Sequence, residues 1–429
     1  MKAPDPKEAA KRIFRAALDA ADPYRAVAEQ KAYIEEAFRK GGFGRLIAVG
    51  FGKASAAMAS AVEDTLGDLL ETGIIITKYG HVGERKFRKI RTFEAGHPVP
   101  DENGQRATEE VLRLLKGTDE KTLVVCLVSG GGSALLSAPA EGISLSHKQA
   151  LTTALLKAGA DINELNAVRK HISGVKGGRL ARAAYPAGVL SLLISDVIGN
   201  PLDVIASGPT APDTTTWQDA VAVVEKYGVK VPAGVAELLR KGAERSIPDS
   251  PKPGDIIFDR VENIIVGSND LALSAASEEA EALGFPAEFL TSSLSGEARE
   301  AAGWLASEAT RSRKRPACLI AGGETTVTVR GTGKGGRNTE LALAFSLEVE
   351  GKEGITLLSA GTDGTDGPTD AAGAVVDGST ALDARKAGIE PREYLDNNDS
   401  YTFFERAGGL LKTGPTGTNV MDVDIILLT

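Results

Sequence analysis

The 429-residue sequence predicts an α/β protein of two lobes, one a parallel sheet covered by helices and the other a mixed sheet. Three observations carry that reading. Between residues 45 and 200 the apolar runs RLIAVG, GIIITK, TLVVCLV and VLSLLI alternate with helical patterns, which is how parallel strands buried on both faces are written. The stretch DSPKPGD, residues 249–255, concentrates turn formers and reads as a boundary. The length exceeds what one core serves, at roughly 100–200 residues per domain.

Taken in order, residues 1–250 form the first, Rossmann-like α/β/α lobe. Residues 6–40 have helical spacing, and which lobe they pack on is left open by the sequence. RLIAVG, GIIITK, IRTFEAG, TLVVCLV and VLSLLI follow as strands, with helices over KASAAMASAVEDTL and NGQRATEEVLRLLK. Residues 255–429 form the second lobe. It opens with ENIIVGS and runs through NDLALSAASEEAEALG (helix), PAEFL, GEAREAAGWLASEA (helix), PACLIAGG, TTVTVRG, NTELALAFSLEVE (helix), GITLLSAG and a closing MDVDIILLT. TTVTVR alternates Thr with Val, so it reads as a half-exposed or edge strand, and the second sheet is expected to be mixed.

Hydrophobic residues at 42% and charged residues at 25% exclude a disordered, collagenous or coiled-coil chain. The net charge of −9 argues against a nucleic-acid-binding surface, so an anionic partner needs a local site. Cys126 and Cys318 lie inside apolar runs and read as buried thiols in a reducing compartment. With no signal-peptide core and no run of ~18 apolar residues, the expectation is a cytoplasmic protein without a membrane partner.

Five Gly-rich or acidic segments each end an apolar run, and open α/β sheets bind ligands beyond the carboxyl ends of their strands. In VGFGKAS a strand turns through two glycines into a helix, and Lys53 at that end suits an anion better than it suits the helix dipole. Ser129, Gly130, Gly131, Gly132 and Ser133 follow TLVVCLV and read as a phosphate cradle, with a plain flexible turn as the alternative. NAVRKHISGVKGGR gathers Arg169, Lys170, His171, Lys176 and Arg179. It suits a carboxylate or phosphate, or else is a solvated face, and the Gly177-Gly178 pair singles out Arg179. Asp196, at the tip of VLSLLISDV, is placed to accept a hydroxyl proton or to hold Mg²⁺.

The fifth segment is composite: Glu324 in AGGET, the run GTGKGGRN with Lys334 and Arg337, and Asp363 and Asp366 in GTDGTDG. The middle run matches G-x-G-x-x-G, but two cations crowd it, so it reads as a triphosphate grip rather than a dinucleotide fingerprint. Asp363 and Asp366 have the oxygen-rich surroundings Mg²⁺ prefers, or are turn-forming Asp-Gly pairs. No histidine stands in a zinc-type spacing.

In order, VGFGKAS, LVSGGGSALL, AVRKHISGVKGGRLA, ISDVIGNPLDVIASGPT, GGETTVTVRGTGKGGRNTELAL and SAGTDGTDGPTDAAGAVVD resemble the class II glycerate kinases, the glycerate 2-kinase family with a leucine-rich MOFRL segment, here about residues 316–424. The resemblance implies an α/β enzyme with its active site in a cleft between lobes. It would use ATP as co-substrate and Mg²⁺ as cofactor to phosphorylate D-glycerate, usually to 2-phosphoglycerate. It also implies Lys53, Asp196 and Arg337 as catalytic residues. On that reading Asp196 orients or deprotonates the acceptor hydroxyl, while Lys53 and Arg337 neutralise the transferring phosphoryl. Ser129 to Ser133 and Lys334 hold phosphates, Arg179 the glycerate carboxylate, and Asp363 and Asp366 the metal, with Glu324 in reserve for metal or substrate hydroxyl. The competing classes are an NAD(P)H-dependent hydroxypyruvate reductase, which needs a dinucleotide fold, and a non-catalytic sugar-acid or nucleotide-binding protein. The partners expected are small molecules, and a homodimer is a candidate assembly.

Overall fold

The computed structural model describes residues 5–429. They divide into two compact units. The first comprises Pro23–Ser195 and Asn200–Val266; the second comprises the N-terminal residues up to Asp22, Asp196–Gly199 and Gly267–Thr429.

The first unit is built on six strands: β1 (Arg45–Phe51), β2 (Leu70–Lys78), β3 (Ile90–Ala95), β4 (Thr122–Val128), β5 (Gly188–Ile194) and β6 (Val261–Gly267). Their order is β3-β2-β1-β4-β5-β6, and the pairs from β3 through β5 are parallel. Every residue of β4 and β5 is buried, as expected when helices cover both faces. The order reverses between β1 and β4, so the turns leaving those two strands stand side by side at the switch point where doubly wound sheets bind ligands.

Those two turns are locked together. Ser129 N–H donates to Phe51 O (3.1 Å), Lys53 N–H to Gly130 O (2.9 Å), and Ala54 N–H to Ser129 Oγ (3.1 Å). Gly52 makes the fit possible. Its φ is +124°, and an added Cβ would fall 2.2 Å from Ser129 Oγ and 2.5 Å from Ser129 O.

The strand expected to open the second lobe, ENIIVG, is instead β6, the edge of the first sheet. Most of its residues are only half-buried, which suits an edge, and the run reads the same at either sheet. Nor is DSPKPGD a divider. Asp249 bonds His171, Ser250 Oγ donates to Asp213 Oδ2 (2.7 Å), and Pro251 O accepts from Asp213 N–H (2.9 Å), all within the first unit.

The second unit carries β7 (Ala287–Leu294), β8 (Ala317–Gly323), β9 (Ile355–Gly361), β10 (Gly373–Asp377), β11 (Leu410–Leu411) and β12 (Asp422–Leu428), ordered β11-β10-β9-β12-β8-β7. Only β7 and β8 pair in parallel; the other four pairs are antiparallel, because the closing strand β12 inserts between β8 and β9. The sheet is mixed as expected, yet TTVTVR contributes no strand to it. That stretch makes a single bridge, at Thr326, whose N–H donates to Gly296 O (2.8 Å), while Thr328 N–H goes to the Glu297 carboxylate and Arg330 N–H to Asn398 Oδ1.

The N-terminal helices, whose lobe the sequence left open, are split. Pro6–Ala20 packs on Asn269–Ala282, β9 and β12, whereas Pro23–Ala28 packs on Ser55–Leu66 in the first unit. Both cysteines are buried free thiols. No helix among the described residues is long and apolar enough to cross a membrane.

The β1–β4 lock is tested by Gly52→Ala against Gly80→Ala. Gly80 also has positive φ (+77°) but open space around it, so alanine there costs only the left-handed strain, about 1–2 kcal/mol. Gly52→Ala adds a backbone clash and is expected to cost about 1–3 kcal/mol more in urea unfolding. Equal losses would mean that the two turns are not rigidly apposed.

Candidate active site

In the first unit Lys53 is half-buried just before the helix Ser55–Leu66, and its ammonium has no hydrogen-bond or ion-pair partner among the described residues. An added Cβ on Gly131 (φ +83°) would lie 3.3 Å from Lys53 Cγ and 3.0 Å from His97 Cδ2, so lysine, imidazole and Gly-rich turn are contiguous. Burial, then the charges of Lys53, Lys78 and His81, push His97 down to about 4, leaving it a neutral imidazole at pH 7. The Gly-rich turn therefore has a cation beside it, and its serines make contacts within the chain. Ser129 Oγ accepts from the β1 turn, and Ser133 lies 2.9 Å from Ser207 Oγ and accepts from Lys176 Nζ at 3.0 Å. The helix after the cradle, Gly132–Leu135, is one turn long and adds little dipole.

The basic motif separates into spent and unspent charges. Lys170 Nζ is paired with Asp203 (3.0 Å) and Asp213 (3.3 Å), and His171 lies between Ala167 O (2.7 Å) and Asp249 Oδ1 (2.8 Å). Arg179, expected to take a carboxylate, donates to the carbonyls of Lys170 (2.7 Å) and Lys176 (3.4 Å). Through Nη1 it brackets two stretches of backbone.

In the second unit the helix Arg337–Glu348 starts beneath the end of β12. Asp422 holds Arg337 by two bonds, Nε to Oδ2 (2.6 Å) and Nη2 to Oδ1 (2.9 Å), and Glu324 Oε1 lies 2.8 Å from Nη1. Burial alone would depress this guanidinium, but Asp422, Glu324 and Asp366 outweigh it and hold the group above its ordinary value. Glu324 is raised by partial desolvation. Arg337 opposes that shift, while the carboxylates of Asp422, Asp196 and Asp363 add to it. Glu324, Asp363 and Asp196 thus stand within electrostatic reach around one fixed arginine.

Asp363 and Asp366 do not make a ligand pair. Asp366 is buried, and its oxygens accept from Asn338 N–H (2.9 Å), Thr339 N–H (2.8 Å) and Thr339 Oγ1 (2.7 Å), satisfying the free donors at a helix start. Asp363 Oδ1 closes a turn on Thr365, accepting from its N–H at 2.9 Å. Among the described residues no three of His, Cys, Asp and Glu gather as a metal site.

The G-x-G-x-x-G run does not meet the requirements of a dinucleotide fingerprint. No strand precedes it, and its amides are taken: Gly331 N–H by Asn398 Oδ1 (3.0 Å), Thr332 N–H by Asn397 Oδ1 (3.0 Å), Gly333 N–H by Asn397 O (3.0 Å) and Lys334 N–H by Asp399 Oδ1 (2.8 Å). The glycines serve a close approach, since a Cβ on Gly331 would lie 2.1 Å from Asn397 O. The Gly335 N–H and the side chain of Lys334, its Nζ 4.2 Å from the centre of the Tyr401 ring, remain for a phosphate.

Sequence reasoning missed Asp422, although an acid in MDVDIILL is itself a signal, because a carboxylate in a buried strand needs a partner. It also missed His97 and Lys78, which are far from the cradle in sequence.

A fold with the 3-2-1-4-5-6 strand order, a cation at the switch point and a carboxylate-held arginine is that of an anion-handling α/β enzyme. The comparisons narrow this. The family model described as a domain of unknown function (DUF4147) matches residues 9–240, and the MOFRL family model matches 317–422. The chain is 46% identical to D-glycerate 2-kinase of Thermotoga maritima over 98% of both chains. A crystal structure of glycerate kinase from that organism superposes with a TM-score of 0.91, covering 99% of each chain. Glycerate 2-kinase of Pyrococcus horikoshii is 42% identical over 100% of this chain and 99% of its own. A protein of Agrobacterium vitis that carries a provisional hydroxypyruvate reductase name is 42% identical over 98% of this chain and 94% of its own. The chain belongs to the glycerate 2-kinase family.

Two outcomes follow from this geometry. Asp366→Ala is expected to lower unfolding free energy by about 2 kcal/mol or more, leaving buried donors unpaired, without altering the divalent-ion requirement of activity. A changed ion requirement in a fully folded variant would return Asp366 to the metal. The second concerns Asp424, wholly buried on β12, where desolvation raises its carboxyl to about 7. The folded state therefore binds a proton that the unfolded chain releases near pH 4, so this group's contribution is full below that pH and is lost as pH rises to about 7. Asp424→Asn should gain stability relative to wild type between pH 5 and 8 in parallel thermal melts. A constant difference would mean that the carboxyl does not titrate there.

Proposed function

We propose that this chain transfers the γ-phosphoryl group of ATP to the 2-hydroxyl of D-glycerate, giving 2-phosphoglycerate and ADP. The observation that carries the reading is similarity along the whole chain to two proteins named glycerate 2-kinases. The acceptor hydroxyl attacks the γ-phosphorus, the bond to the bridging oxygen of ADP breaks, and the hydroxyl proton passes to the Asp196 carboxylate. Lys53, beside the Gly130–Gly131 turn, balances charge on the phosphates as it shifts toward the leaving group. Arg337 does the same from a guanidinium whose orientation Asp422 fixes, so little reorganisation is needed. Glu324, with its raised carboxyl, is the second group able to face the acceptor hydroxyl. Mg²⁺ is assigned to the nucleotide, where it would screen the phosphate oxygens, and not to a protein site. The setting proposed is cytoplasmic.

The reductase reading lacks the glycine fingerprint rather than the fold, since the backbone N–H groups of residues 331–334 are already bonded. A binding-only protein would show ligand affinity without turnover.

Purified protein with ATP, Mg²⁺ and D-glycerate should give the 2-phosphate by phosphorus NMR, with no NADH oxidised when hydroxypyruvate is supplied. Lys53→Ala is expected to lower kcat by about 10²-fold or more in a folded protein. Asp196→Asn should lower it by ~10²- to 10⁴-fold while both substrates bind within a few-fold of wild type. Loss of Mg-ATP binding in the Asp196 variant, with glycerate binding kept, would move that residue to the metal.

A further inference from the structure

The first unit holds a second cation group that the roles above do not use. Lys148 lies on the helix Leu145–Lys157 in the inward stripe of Leu145, Leu151 and Leu155, and is 4% exposed. Arg169 lies on the helix Ile162–His171, which is packed with its neighbours around Leu151, Leu165, Val168 and Trp217. Lys176, wholly buried, reaches Ser133 O (2.6 Å) and Oγ (3.0 Å). Among the described residues no carboxylate pairs with any of the three. Arg169 makes no hydrogen bond or ion pair, and Lys148 has only Ser137 Oγ at 3.5 Å. Burial, then each other's charge, pushes Lys148 down to about 7 and Lys176 well below its ordinary value.

The contrast with Lys170 is instructive. One residue from the half-buried Arg169, it is buried and has two aspartates. Burial disfavours the charged forms of Lys148 and Lys176, and an anion set beside them and Arg169 would restore that charge.

The surroundings of this group are specialised. Ser133 and Ser207 hydroxyls lie 2.9 Å apart, and Ser207 donates to Asn166 Oδ1 (3.1 Å), which leaves the Asn166 amide N–H groups available as donors. Ala206 and Ser207 both hold positive φ (+50° and +63°), a strained pair of non-glycine residues of the kind found at ligand clamps.

We propose that Lys148 and Arg169, with Asn166, bind the oxyanion of a substrate, and that this oxyanion is the carboxylate of the phosphoryl acceptor. Lys176 positions Ser133 behind them. The assignment to D-glycerate rests on the kinase reading, whereas the need for an oxyanion does not. A carboxylate is favoured over a phosphate because Lys53 and the glycine turn already serve the phosphates.

Lys148→Met and Arg169→Met remove charge and keep the stem. Calorimetry with D-glycerate, with glycerol, with inorganic phosphate and with ATP is read beside thermal melts, Lys170→Met being the structural control. Both test variants should melt at or above wild type while Lys170→Met melts lower, since it strands Asp213. D-Glycerate should bind about tenfold or more weakly in each test variant, with ATP within threefold and glycerol not binding even to wild type. Unchanged D-glycerate binding, or melting losses matching Lys170→Met, would overturn the proposal. Weakened phosphate or ATP binding with glycerate untouched would overturn the carboxylate assignment and give the site to a phosphate. Because binding is read without turnover, a wild-type protein that binds D-glycerate but fails to phosphorylate it would count against the kinase reading and leave the site standing.

Discussion

The apposition of the β1 and β4 turns is the constraint on which the first unit's chemistry depends. A parallel sheet whose order reverses between two strands leaves their outgoing turns adjacent, and adjacency alone would leave a gap filled by water. Here Ser129 closes it by giving its hydroxyl to Ala54 N–H, and Gly52 permits the approach by having no Cβ. The backbone of Lys53 is thereby fixed to Gly130, so a long flexible side chain starts from a rigid base. The lock uses Ser129 Oγ as an acceptor and leaves its O–H to donate.

The parallel sheet was legible in the sequence because burial on both faces leaves no polar alternation, and RLIAVG, TLVVCLV and VLSLLI could be little else. Edges were not legible. β6 has the composition of an interior strand of either sheet, and its place is decided by pairing along β5, which no local pattern records. The mixed second sheet was expected from TTVTVR, which turned out to be a loop. The true cause is β12, whose seven buried residues insert antiparallel between β8 and β9. Alternating Thr and Val in the loop reflects half-exposure, a property that extended loops share with edge strands.

The candidate site was legible as a set of charges and illegible as a set of partnerships. Asp363, Asp366, Arg179 and Arg337 stand in loops of the right composition, but a one-dimensional pattern does not show what each is bonded to. Three-dimensional packing commits Asp366 to a helix start and Arg179 to two carbonyls, and it gives Arg337 a bidentate carboxylate. The same packing leaves Lys53, Arg169 and Lys148 without one. Lys148 was detectable in principle: a lysine in the stripe 145, 148, 151, 155 contradicts the amphipathic rule, and such a contradiction marks either a buried pair or a ligand.

The two units also differ in how their charges are paired. The first keeps its aspartates on Lys170 and His171 and leaves other cations unpaired, so it is short of negative charge where Lys53 and Arg169 lie. The second crowds Glu324, Asp363, Asp196 and Asp422 about a single arginine, so one of those carboxyls is held more basic than usual. A carboxylate held this way is able to take up a proton, which transfer of a phosphoryl group to a hydroxyl uses. An arginine pinned by Asp422 belongs with the carboxylates for the same reason. It lowers the cost of gathering them, and its fork, already oriented, needs no rearrangement when charge develops.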